Sequence, residues 1–441
     1  MSGMTLGGGL FALMLGLMAL RIPIAVAMFV PGVLGYWWVA GDLAVMSQLK
    51  GLAVARLTVY DLSVIPLFLL MGQFATQGGL SRALFQAAAA FVGHLRGGLA
   101  IAALIASALF GAVCGSSVAT AATITQVAFP EMKRHGYDGG FATGTLAVGG
   151  TLGILIPPSV PLVVYAILAE QNIAKLFFAA FIPGLIATVG YCLVVTFWTR
   201  RNPSLARPQP KATPAERMKA LVAVWPIATI FVVVFGGIYA GVFTPTEGAA
   251  IGAIGTLAAG VANRELDVAA LKRCFLGTAE TTAMVFMIFL GADMLNATLA
   301  LTQMPAQLAQ WVGGLGIPPL AIVGMVLVFY VLLGCVMDEL SMIMLTIPVI
   351  FPAIMGLDLW GLAPEAKAIW FGILVLMVVE IGLVAPPVGL NVYVVNGLTR
   401  GVPMGDTYRG VMPYLASDLL RVLLLLFVPA VSVGLLPYVF R

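Results

Sequence analysis

Gly153-Ile154-Leu155-Ile156-Pro157-Pro158 stands inside an apolar run over roughly 141–168, and a second run over 368–398 carries Gly382-Leu383-Val384-Ala385-Pro386-Pro387. Two adjacent prolines remove two amide donors and clash with the preceding turn, so a helix breaks there. The break frees carbonyl oxygens. In hydrocarbon an unpaired carbonyl is costly, and irregular backbone persists only where it lines a cavity or is covered by protein. A motif of this kind that occurs twice points to a chain built around interrupted helices.

The surroundings are those of a membrane protein. Of 441 residues, 61% are hydrophobic and 9% charged, against about 25% charged in an average soluble domain. Apolar segments near the length that spans a bilayer occur at roughly 5–20, 24–41, 57–78, 141–168, 176–199, 221–242, 246–262, 276–299, 368–398 and 412–437. Two longer stretches, 98–130 and 317–350, carry Gly115-Ser116-Ser117 and Asp338-Glu339 at their middles. Each fits either two short spans or a re-entrant hairpin. The N-terminus lacks a basic n-region and a small-residue cleavage site, so 5–20 reads as a retained span. The chain is an all-α polytopic membrane protein.

Charge orients it. The linker 200–219 holds Arg200, Arg201, Arg207, Lys211, Arg217 and Lys219 among four prolines, and reads as cytoplasmic. Working outward, Arg21, Arg82, Arg96, Lys133, Arg134, Arg264, Lys272, Arg273, Arg400 and Arg409 also fall inside. Lys50, Arg56, Lys175, Lys367 and Arg441 fall outside, and Arg421 lies within the last span. The N- and C-termini are therefore expected on the periplasmic side. The net charge of +4 is a topology signal and not a nucleic-acid footprint.

The linker divides the chain into 1–199 and 220–441, each with three spans, a hairpin stretch, a span broken by Pro-Pro and a final span. Five full spans per half force the second half to run opposite to the first, an inverted repeat. Gly111-Ala112-Val113-Cys114-Gly115-Ser116-Ser117 matches Gly334-Cys335-Val336-Met337-Asp338-Glu339-Leu340, and the two Gly-to-Pro-Pro runs match in the same order.

Freed carbonyls suit a cation with oxygen ligands, such as Na⁺. Two quasi-symmetric sites are expected. The first uses Ser116, Ser117 and carbonyls at Gly153, Ile156 and Pro158; the second uses Asp338, Glu339 and Ser341 with carbonyls near Gly382, Ala385 and Pro387. An organic anion could sit between them at half-helix N-termini, with Thr120, Thr123, Asn391 and Asn396 as polar contacts. Each motif also has a bland reading: Pro in a spanning helix is often a kink, and Gly-Ser-Ser is often a packing patch. Glu380 joins Asp338 and Glu339 as an acid near the site, whereas Glu247, Glu280 and Asp293 read as structural.

No GxxxxGK[ST], HExxH or GxSxG occurs, and Cys114, Cys192, Cys274 and Cys335 show no metal-ligand spacing. An enzyme is not indicated, nor an organic cofactor. Transport has to draw on an ion or substrate gradient.

The runs Ile65–Gly72, Gly115–Ala121, Gly150–Ser159 and Glu380–Asn391 resemble the large permease subunit of tripartite ATP-independent periplasmic (TRAP) transporters over essentially the whole chain. The resemblance implies a bacterial inner-membrane protein, a separate small four-helix membrane subunit and a periplasmic substrate-binding protein. It also implies Na⁺-driven uptake of a small carboxylate, and an elevator in which a transport domain (about 98–170 and 317–398) slides on a scaffold formed by the remainder. Family sodium ligands carry over to Ser116, Ser117, Gly153, Ile156 and Pro158. The second site departs where many relatives have Thr and this chain has Ala385. That change is harmless if only the carbonyl serves and weakening if a hydroxyl is needed. A stand-alone organic-anion symporter or antiporter of the same fold is the alternative, and a channel or non-transporting scaffold is a third reading.

Overall fold

The computed structural model describes residues 3–314 and 316–440, and Arg441, counted with the outer charges, lies outside them. Among the described residues every regular element is a helix. Ile173–Arg201, Pro214–Tyr239, Val268–Leu301, Pro364–Val384 and Met404–Phe427 are each long and apolar enough to cross a membrane. Two bent pairs reach the same length: Asp42–Leu57 with Tyr60–Gln77, at 56°, and Gly139–Leu155 with Val160–Leu168, at 44°. The chain is a multi-pass membrane protein.

The order of elements runs twice. Gly3–Ala19, Ile24–Ala40, the bent pair ending at Gln77 and the short Leu80–Val92 lead to a helical pair, Gly98–Cys114 with Ser117–Arg134. The broken helix Gly139–Leu155/Val160–Leu168 and the long Ile173–Arg201 follow. After the linker, Pro214–Tyr239, Pro245–Ala262, Val268–Leu301 and Met304–Gly313 lead to the pair Pro319–Gly334 with Glu339–Met355. Pro364–Val384/Leu390–Leu398 and Met404–Phe427 complete the series. Packing is reciprocal: Ile24–Ala40 lies along Val268–Leu301, and Pro245–Ala262 lies along Val64–Gln77.

The linker is held at both ends of the first helical pair. Gln209 N donates to Gly93 O at 3.0 Å, and its side-chain amide meets His135 Nε2 at 3.2 Å. Thr213 then caps Pro214–Tyr239 in a capping box, and its amide and hydroxyl, both bonded to Glu216, hold that carboxyl below its ordinary range. Thr199, near the end of Ile173–Arg201, bonds Arg96 O on the same side. Toward the other end of that helix, about 36 Å away at 1.5 Å per residue, Lys175 pairs with Glu365 at 2.6 Å. The second helical pair is anchored here. The buried Lys367 donates from Nζ to Met355 O at 2.8 Å and Leu357 O at 2.6 Å, just where the carbonyl end of Glu339–Met355 favours a cation. The two pairs thus open toward opposite ends of the molecule. Lys367→Met is expected to lower stability by about 2 kcal/mol, read as a lower melting temperature in detergent, with Lys367→Arg recovering part of it.

Glycines let backbones touch at the centre. A Cβ on Gly111 would overlap Gly153 Cα, one on Gly382 would stand 2.5 Å from Gly334 Cα, and one on Gly140 would stand 2.7 Å from Asp406 O. Thr143 bonds Thr407 at 2.9 Å and Thr145 bonds Tyr414 at 2.7 Å along the same seam. The final helices Ile173–Arg201 and Met404–Phe427 pack on each other and on Gly139–Leu155, and both also meet Pro364–Val384.

Three helices were not expected. Asp42–Leu57 exposes Leu43 and Val54 and is tied at its end by the Arg56–Asp293 ion pair, so Asp293 is the structural partner anticipated. Leu80–Val92 and Met304–Gly313 are too short to register as spans. Glu247 closes a capping box with Thr244.

Candidate functional site

Both helical pairs turn against a Pro-Pro break. In the first, Gly115 takes φ +64° and ends Gly98–Cys114, and Ser116 caps the returning helix by accepting from Ala119 N at 3.4 Å. Pro157 and Pro158, joined by a cis bond, lie buried opposite this turn, and a Cβ on Gly115 would stand 2.9 Å from Pro158 O. A Cβ on Gly153 would meet Thr120 Oγ1 at 2.5 Å and Ser116 O at 2.9 Å. Ser117 is buried, and its Oγ accepts from Asn391 Nδ2 at 2.7 Å. Ser116, Ser117, Thr120, Gly153, Pro158 and Asn391 therefore come together, while Ile156 ends the first segment of the broken helix in extended backbone. Thr120 Oγ1 and Asn391 Oδ1 are buried without a hydrogen-bond partner. Buried oxygens in that condition call for an explanation, and neutral oxygens gathered at one turn with no basic side chain among them suit a hard monovalent cation.

The second turn has the same plan with different chemistry. Asp338 caps Glu339–Met355, with Oδ2 accepting from Ser341 N at 3.1 Å and Oδ1 from Ser341 Oγ at 2.6 Å. The sequence match set Ser116 against Glu339. By capping role Ser116 corresponds to Asp338, because five residues separate Gly111 from Ser116 and four separate Gly334 from Asp338. Glu339 is buried. Gly382 meets Gly334 as Gly153 meets Gly111, and Ala385 ends Pro364–Val384 in extended backbone. Cys335 Sγ reaches Pro386 O at 3.5 Å, so this break also lies against its turn. Pro386, Pro387 and Val388 are exposed, unlike the buried first pair. A cleft of about 530 Å³ beside them is lined by Met337, Asp338 and Val388 and, across from these, Leu15, Met18 and Ile22.

Two expected contacts go elsewhere. Asn396 donates to Val402 O at 2.9 Å and Thr407 Oγ1 at 3.2 Å, bracing Leu390–Leu398 against the final helix. Thr123 is half-buried farther along the arm that begins at Ser117. Among the described residues no group of three or more His, Cys, Asp or Glu is placed to hold a metal ion, so any cation at the turns would be held largely by neutral oxygens.

The profile described as "Tripartite ATP-independent periplasmic transporter, DctM component" matches residues 11–431. The chain belongs to this family. It is 38% identical to the C4-dicarboxylate TRAP transporter large permease protein DctM of Pseudomonas aeruginosa, over 85% of this chain and 86% of that one. It is 30% identical to the 2,3-diketo-L-gulonate TRAP transporter large permease protein YiaN of Escherichia coli, over 94% and 95%. The crystal structure of the Alcanivorax borkumensis YdaH transporter superposes with a TM-score of 0.66 at 16% identity, covering 88% of each chain, a likeness of fold.

This TRAP permease also buries a charged cluster that no sequence motif marks. Arg421 Nη2 stands 2.8 Å from Asp418 Oδ1, off the N–H direction, and Tyr191 donates to Asp418 Oδ2 at 3.0 Å while meeting Thr151 at 3.2 Å. The Tyr191 ring lies 5.6 Å from the guanidinium. Glu380, buried with both oxygens unpartnered, is within electrostatic reach of Arg421, Asp418 and Glu339. Thr151, bonded to Tyr191, precedes Gly153 by two residues, and Glu380 precedes Gly382 by two, so the cluster lies behind both breaks. An Asp and an Arg three apart in the apolar second half of the final helix were the available signal.

Proposed function

We propose that this permease takes up a small organic anion, a carboxylate, by coupling it to Na⁺ held at the two helix breaks, after a periplasmic binding protein has delivered it. The observation that carries the reading is the oxygen cage at the first break, where Thr120 Oγ1 and Asn391 Oδ1 are buried and unpartnered beside Ser117 and the carbonyls of Ser116 and Pro158. Unwound carbonyls and half-helix ends are what coupling ions take in transporters built from repeats. The opposite opening of the two helical pairs supports an inverted repeat. The turns lie against mid-helix breaks and not at a face, which supports re-entrant hairpins.

The moving body in this reading is drawn wider than the sequence suggested. It includes Ile173–Arg201 and Met404–Phe427 with the helical pairs and broken helices, because glycine contacts and the buried cluster lock them together. The scaffold consists of the helices preceding each pair. Its exposed apolar residues, Trp225 and Val232 among them, suit lipid and a small four-helix partner. A cleft of about 920 Å³ between scaffold and moving body, lined by Arg82, Gln126, Glu131, Lys211 and Lys219, opens on the linker side and would be the cytoplasmic exit. With the linker inside, both termini lie in the periplasm. The relatives' names refer to dicarboxylates, a diketo-gulonate and also isethionate, a sulfonate, which supports small organic anions, with carboxylates prominent among them.

The test is uptake into proteoliposomes holding the permease with its small subunit, with binding protein and labelled carboxylates outside. Saturable uptake that needs both the binding protein and an inward Na⁺ gradient is the expected result; uptake indifferent to Na⁺ would remove the coupling, and uptake without binding protein would favour the stand-alone symporter. Ser116→Ala combined with Ser117→Ala is expected to cut Na⁺-stimulated uptake about tenfold or more, since each lost oxygen contact costs on the order of 1 kcal/mol, in a protein that still folds but melts lower in detergent through the lost cap and the lost Asn391 bond.

A further inference from the structure

We propose that Tyr408 sets the cation affinity of the second break by occupying it. Its hydroxyl lies 3.0 Å from Pro387 O and 2.6 Å from Val388 O, and donates to both. Two carbonyl oxygens that converge on one partially positive hydrogen are arranged as they would be around a small cation. The tyrosine proton is a stand-in, and it has to leave before Na⁺ can take both oxygens. The inference rests on the cation reading of the breaks.

Three features set this break apart from the first. Pro387 and Val388 are exposed beside a cleft of about 530 Å³, giving both a cation and the departing phenol room. At the first break Pro158 O lies against Gly115 in buried surroundings, with no hydroxyl bonded to it among the described residues. The residue corresponding to Tyr408 there is Phe178: each stands five positions before the internal proline of the final helix of its half, Pro413 and Pro183. Phe178 packs edge-on against Tyr239 and Phe440 and has no proton to offer. The sequences of the halves thus supply a competing donor at one break only. The first break is the intrinsically open cation site, and the second fills only when Tyr408 gives way. Tyr408 belongs to the first turns of Met404–Phe427, the helix that packs along Gly139–Leu155. Its release therefore acts on the same block that holds the first site.

The test is Tyr408→Phe, which keeps the ring and removes the proton. Na⁺ binding is measured at equilibrium on the purified permease, and the Na⁺ dependence of uptake on the reconstituted transporter. The half-saturating Na⁺ concentration is expected to fall about five- to tenfold, the change that follows from relieving one competing hydrogen bond, with a slower maximal rate because the ion leaves less readily. The melting temperature without Na⁺ should drop slightly and the rise on adding Na⁺ should grow, a pair of changes that a purely structural bond would not give. An unchanged or higher half-saturation in a well-folded Tyr408→Phe overturns the proposal. Should that variant not fold, alkylation of Val388→Cys in the otherwise unchanged chain decides: Na⁺ is expected to alter its labelling, and identical labelling with and without Na⁺ overturns the proposal. If the parent itself neither binds Na⁺ nor needs it for uptake, the cation reading of the breaks fails, an outcome distinct from either of these.

Discussion

Arg421→Met is expected to destabilise the permease by about 3–5 kcal/mol, because it strands a buried carboxylate. Asp418 and Arg421 are almost fully enclosed, with 1% and 2% of their side-chain surfaces exposed. Their closest approach, 2.8 Å, is off the N–H direction, so the attraction is Coulombic and not a well-formed hydrogen bond. Removing the guanidinium leaves Asp418 with the Tyr191 hydroxyl as its hydrogen-bond partner, and takes away a positive charge within electrostatic reach of Glu380. Replacing both members by apolar residues avoids the stranded charge. Arg421→Met with Asp418→Leu should therefore recover most of the loss, as buried pairs replaced together often cost little. Denaturation in mixed micelles measures both. A single variant within about 1 kcal/mol of the parent would show that water reaches the pair and that it does not bind the backs of the breaks together.

Gly111→Ala and Gly382→Ala are each expected to reduce Na⁺-stimulated uptake about 100-fold, the order of effect that follows from misplacing reacting or binding groups by about 1 Å. At both positions the added methyl meets backbone. At Gly111 it overlaps Gly153 Cα, and at Gly382 it stands 2.5 Å from Gly334 Cα. Neither neighbour can rotate away, so a helical pair has to separate from its break and the ligand oxygens with it. Overpacking of this kind costs about 1–3 kcal/mol in stability, less than is needed to unfold a typical domain. Gly334→Ala is the control. Its methyl would be 3.2 Å from Gly382 Cα, a contact that small shifts relieve, and its uptake should stay within about threefold of the parent, under 1 kcal/mol. Equal losses in Gly334→Ala and Gly382→Ala would indicate that contact distance at the second break is not what positions the site.

The two breaks are legible because Pro-Pro acts on its own helix: the missing amides and the clash with the preceding turn need no knowledge of the rest of the chain. The same holds for the turns at Gly115 and Asp338, since a positive φ and a side-chain cap are short-range requirements. The repeated order of elements also follows from local hydropathy taken twice. Asn391 was singled out as a polar contact, but its partner Ser117 lies 274 positions away, and no spacing rule reaches that far. The one-residue difference between the two turns was invisible for a related reason. Matching by glycines aligns the letters, whereas the cap is chosen by which side chain faces the free amides.

Sequence alone determined that the chain crosses a membrane repeatedly, where its helices break, and that two similar halves each present a turn and an interruption. These are properties of hydrophobic runs and of proline and glycine stereochemistry, and they belong to short segments. Only the tertiary structure decided which oxygens meet, that Tyr408 donates to the carbonyls of the second break, and that Asp418 and Arg421 join Tyr191 behind the breaks. Those choices depend on helices approaching backbone to backbone, within one half at Gly111 and at Gly382 and between the halves at Gly140. Close packing of that kind pairs residues by their position in space and not by their separation along the chain.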